Sequence, residues 1–147
     1  MKLSKTLVIC TLVLIADGVL AGDKELVDYR QNVMHVIGGH MGAIVAIVKG
    51  EVPYNDDLAY HADALAAAAP LAVPIFKQQA MTDKSHALPA IWEDWDAFES
   101  AAKTLEETST AFAAAVAGGD RGAIGGALGK LGDSCKSCHD DFTEEEH

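Results

Sequence analysis

The stretch "IGGALGKLGDSCKSCHDDF", Ile124 to Phe142, decides the fold. Ile124, Leu128, Leu131, Cys135, Cys138 and Phe142 recur in steps of three and four, so on a helix they share one face. Both cysteines therefore lie on a core-facing stripe, and whatever they hold sits between this helix and its neighbours. His139 directly follows the second cysteine and stands one turn after the first.

Upstream, the same periodicity recurs. Ile91, Trp95, Phe98, Ala102, Leu105, Phe112 and Val116 form the seam of a third helix, with one polar slot at Ser109. Pro89 suits its first turn, Gly118 and Gly119 end it, and Asp120 is placed to cap the fourth. A second helix, with Asn55 as its expected cap, carries Leu58, Ala62, Leu65, Ala69, Ala72 and Phe76. Pro70 and Pro74 should kink it or end it early. The first helix runs from about Asp23 to Lys49, with Leu26, Val33, Ile37, Ile44 and Val48 inward and Gly50 and Pro53 as its stop. The longest connection is "KQQAMTDKSHA", residues 77–87. Four amphipathic helices joined mostly by short turns predict an all-α, antiparallel four-helix bundle with the cofactor between the helices.

Residues 1–21 read as a signal peptide. Lys2 and Lys5 precede the apolar run "TLVICTLVLIA", which is short for a bilayer span, and "VLA" at 19–21 places small residues at a cleavage site after Ala21. An uncleaved anchor is the rival reading. Export to a periplasm follows, leaving residues 22–147 as one domain with no expected membrane span. Cys10 leaves with the leader, so the mature chain keeps Cys135 and Cys138. Removing Lys2, Lys5 and Asp17 from 11 basic and 22 acidic residues leaves a net charge of about −12. That argues against nucleic acid or anionic lipid as a partner and favours a cationic one, though it also serves solubility.

In an oxidising compartment a lone CxxC is a disulfide, a redox pair or a cofactor anchor. On a helix, Cys135 and Cys138 reach the vinyl groups along one porphyrin edge, and His139 supplies the proximal iron ligand: a covalent haem c. Zinc would need a fourth ligand and a histidine spaced away from the cysteine. A thioredoxin-like pair would need a βαβ setting.

With "CKSCHDDF" near the C-terminus, "YRQNVM" at 29–34, "VKGEVPY" at 48–54 and "IWEDW" at 91–95, the mature chain resembles the cytochrome c′ family, the class II c-type cytochromes. The resemblance implies one covalent haem with high-spin, five-coordinate iron. It also implies binding of nitric oxide and carbon monoxide or electron transfer, no enzymatic role, and a homodimer through the first helix. It puts Met34, five after Tyr29, over the distal side of the iron as a cover or weak sixth ligand. Low-spin relatives of the c556 type bond such a methionine, and an electron carrier with His/Met ligation is the alternative. Arg30 becomes the partner of a haem propionate, with Gln31 assisting; an arginine at a core edge wants an anion in any case.

Gly38 and Gly39 suggest close approach of haem or another helix. Met41 and His40 are read as interface or core, Trp92 and Trp95 as core or haem-edge packing. His35, His61 and His86 are read as surface residues. A peroxidase would want a distal acid–base pair, for which His35 is badly placed. Many family members carry a basic residue where Thr143 stands; here Glu144, Glu145 and Glu146 follow, and fraying of the helix end is expected.

Overall fold

The computed structural model describes residues 21–144. The leader up to Leu20, Cys10, Glu145, Glu146 and His147 lie outside the described residues. The helices are α1 (Asp23–Val48), α2 (Leu58–Ala68), α3 (Ala90–Glu93, a single turn), α4 (Trp95–Gly118) and α5 (Arg121–Phe142). The four long ones make the bundle, with α1 packed on α2, α2 on α4 and α4 on α5.

Local chemistry sets the boundaries. Gly50 and Gly119, both at φ 73°, carry the left-handed turns after α1 and α4. The expected third helix is split at Asp94, which leaves helical geometry at φ −130°, ψ 69° and caps α4 by accepting from Ala97 N–H at 3.1 Å. A cap in the middle of a periodic run satisfies a free N–H that would otherwise go unpaired. Asp120 caps α5 as expected, accepting from Ala123 N–H at 2.7 Å. Asn55 does not cap: it opens a 3-10 turn, Asn55–Asp57, and no side chain caps that turn or α2. The prolines do end α2, which passes at Ala69 into 3-10 turns through Phe76.

By length and apolarity alone, α1 and the Asn55–Phe76 stretch could each cross a membrane, contrary to the expectation of no such segment. In the fold both give residues to a common core instead. Ile44, Leu65, Phe112 and Leu131 are fully buried there, beside Val33, Ile37, Ala62 and Ile124. Ser109, the polar slot, is also fully buried, and its hydroxyl donates to Glu106 C=O at 3.0 Å. A second cluster of Phe76, Ile91, Phe98 and Phe142 lies at the CxxCH end. Phe98 packs edge-on against both Phe76 and Phe142.

The end of α5 does not fray within the described residues. Leu88 N–H donates to Phe142 C=O at 3.0 Å, Glu144 N–H donates to His86 C=O at 2.8 Å, and Ala87 bridges Thr143. The long connection thus supplies partners that outweigh an unfavourable carboxylate at the helix terminus.

Candidate haem site

Cys135 is half-buried against the central core and Cys138 against the aromatic cluster, so the CxxC straddles the two. Met34 is the α1 side chain that packs against both clusters. Further along α1, Met41 Cε lies 3.8 Å from where a Cβ on Gly132 would stand. Met34 packs on the same cluster as Cys138, and Met41 lies beside Gly132, so α1 runs antiparallel to α5. Met34, Cys135 and Cys138 thus border the junction of the two clusters.

Burial raises both thiol pKa values. Cys138 is pushed up to about 11, with Cys135 and Asp141 adding charge repulsion. Cys135 rises for the same reason, opposed by a hydrogen bond from Ser134. A redox-active CxxC has the opposite signature, a lowered thiol pKa. His139 follows on the exposed side of α5, and its C=O accepts from Thr143 N–H at 3.0 Å.

Arg30 is 3% exposed, which excludes a merely solvated helix charge. Its guanidinium carbon sits 4.9 Å from the Phe76 ring centroid and 5.4 Å from that of Trp92, and Nη2 donates to Ala80 C=O. Trp92 is itself fixed by Nε1–H donating to Phe76 C=O at 2.8 Å. Burial lowers the Arg30 pKa, yet an arginine stays charged at neutral pH. Its Nη1 is buried without a hydrogen-bond partner among the described residues. An unpaired buried cationic nitrogen is costly and calls for an anion. Gln31 is less well placed for that task, because its Nε2 already donates to Lys84 C=O at 2.5 Å.

Two residues escaped the sequence reading. Ser134 is buried and bonds Leu131 C=O at 2.8 Å and the Thr108 hydroxyl at 2.9 Å, tying the turn before the CxxCH to α4. Phe76, read only as core, is the platform under Arg30. The signal for Ser134 was a polar residue beside the cysteine on an otherwise apolar stripe. Gly38 and Gly39 are corrected: both are exposed, and a Cβ on either would meet nothing within 4 Å, so no close approach occurs within one chain.

The family model described as Cytochrome C' matches residues 25–143. The chain belongs to the cytochrome c′ family. It is 37% identical over 127 residues to cytochrome c′ of Pararhodospirillum photometricum, covering 84% of this chain and 100% of that one. It is 33% identical over 116 residues to cytochrome c-556 of Agrobacterium tumefaciens, covering 79% of this chain and 94% of that one. A nitric oxide complex of a single-site mutant of cytochrome c prime from Alcaligenes xylosoxidans superposes with a TM-score of 0.78 at 26% identity, over 86% of this chain and 99% of that one. The cofactor of a cytochrome c′ is haem c, covalently attached. The residues present fit it: two cysteines on one helical face at the junction of two apolar clusters, and a buried guanidinium nitrogen, Arg30 Nη1, without a partner among the described residues, for an acidic substituent.

Proposed function

We propose that this cytochrome c′ is a periplasmic protein whose five-coordinate, high-spin haem iron binds small diatomic gases, nitric oxide and carbon monoxide, or passes electrons. The observation that carries the reading is Met34: its side chain packs against both of the apolar clusters that the CxxC borders. Haem supplies the iron that takes a gas or an electron. Cys135 and Cys138 would hold it, and the His139 imidazole would ligate its iron. Arg30 Nη1 would pair with a propionate and stay charged there. Met34 would exclude water and polar ligands from the iron while yielding to an uncharged diatomic. A methionine suits that role because its unbranched thioether adapts to its neighbours. The nitric oxide complex of the Alcaligenes xylosoxidans protein supports the gas-binding reading.

Membership of the cytochrome c′ family accords with a binding or transfer role rather than one that needs a distal acid–base pair. His35, the nearest candidate in sequence, is exposed. Asp133, Asp140, Asp141 and Glu144 are exposed around the CxxCH end, a surface suited to a cationic redox partner. Exposed Val36, Gly38 and Gly39 on α1 suit a homodimer through that helix. Export with cleavage after Ala21 accords with the leader-like sequence of residues 1–21.

The test is carbon monoxide binding to the reduced, haem-loaded protein and its Met34→Ala variant, followed by stopped-flow absorbance. One carbon monoxide per haem is expected, with association about tenfold or more faster in the variant. Failure of the wild-type protein to bind, with binding restored by Met34→Ala, would favour the second reading. That reading, a six-coordinate His/Met electron carrier, draws on the likeness to the Agrobacterium tumefaciens cytochrome c-556.

A further inference from the structure

Away from the CxxC, His40 of α1 and His61 of α2 bring their Nδ1 atoms to 2.9 Å. Both side chains are half-buried, and their ring centroids are 5.2 Å apart. Tyr60 packs edge-on against both, at 6.1 Å from His40 and 5.5 Å from His61. The sequence reading left His61 on the surface; the structure pairs it. His40 lies six residues beyond Met34 on α1 and has no part in the haem site.

We propose that His40 and His61 form a binding site for a divalent transition-metal ion, cupric copper above others. Two nitrogens bound at about 2.0 Å and at a right angle lie about 2.8 Å apart, whereas a tetrahedral centre spreads them to about 3.3 Å. The observed 2.9 Å, an ordinary hydrogen-bond length, is also close to the spacing of a right-angled pair in a tetragonal site, the geometry of Cu(II) and Ni(II). Copper heads the affinity order for nitrogen ligands.

Without metal, the contact is a hydrogen bond in which one imidazole donates from Nδ1 and the other accepts. On binding, the donor ring moves its proton to Nε2, so two neutral rings each present a lone pair and no net proton is released. The ligands come from separate helices that already pack together, so the pair is assembled before metal arrives and little ordering entropy is lost. Among the described residues no group of three or more His, Cys, Asp or Glu side chains converges, so water completes the coordination. The acidic chain, at a net −11, raises the local cation concentration.

Cupric ion alone, titrated into the ferric haem-loaded protein, is the probe, read by calorimetry and by electron paramagnetic resonance. One copper per chain is expected, with hyperfine structure from two nitrogens. His40→Ala and His61→Ala should each weaken binding about tenfold or more, while His35→Ala leaves it unchanged. Circular dichroism and the haem spectrum show that each variant is folded. Copper affinity within twofold of wild type in both folded His40 and His61 variants would overturn the site, as would a copper signal without two-nitrogen structure.

Discussion

At Arg30, one buried nitrogen has no partner among the described residues, and the proposed propionate contact would supply one. Hydrogen bonds to charged groups contribute about 1.5–3 kcal/mol. Arg30→Leu should therefore lower the unfolding free energy of the haem-loaded protein by about 2 kcal/mol, a loss that denaturant titration would detect. The same change in the haem-free chain should cost less, because there the guanidinium has no anion to lose. Ser134→Ala removes a different tether, the bond from the CxxCH turn to Thr108, at a cost of about 1 kcal/mol by the same titration. That Cys135 and Cys138 lie on a core-facing stripe was legible in the sequence, because helical spacing fixes which side chains share a face; the place of Met34 opposite them came from the family resemblance. The burial of Arg30 was not legible, because its ring platform comes from Phe76 and Trp92, 46 and 62 positions further on. The His40–His61 contact was hidden for the same reason, being set by how α1 meets α2.

Among the elements, end groups separate what spacing fixed from what it missed. Asp94 accepts a helix N–H and Asn55 does not, although both residue types favour caps. Asp94→Ala should cost about 1 kcal/mol in thermal or chemical unfolding, whereas Asn55→Ala should change stability by less than about 0.5 kcal/mol. A gain is expected at Gly125, exposed on α5 with open space around a Cβ, where alanine should stabilise by about 1 kcal/mol. The seams of the four long helices followed from periodicity to within a residue or two at most ends. The break at Asp94 did not, because the apolar steps run on across it. The tie between residues 86–88 and 142–144 was invisible too, since it joins backbone groups that carry no side-chain signature.

Over the whole molecule, two apolar clusters meet at the CxxC, and Met34 bridges them from the facing helix. The four-helix architecture and the haem anchor could be read from a single chain. The coordination state could not, because a methionine in this position has the same spacing whether it bonds iron or shields it. The apolar packing of Met34 at the junction of the two clusters favours shielding. The most direct test is the electronic absorption spectrum of the purified haem-loaded protein, ferric and then dithionite-reduced, with no added ligand. A broad reduced Soret band without sharp α and β bands is the predicted result and makes Met34 a gate over open iron. Sharp α and β bands in the reduced wild-type protein, lost in Met34→Ala, would contradict it and make Met34 the sixth ligand of an electron carrier.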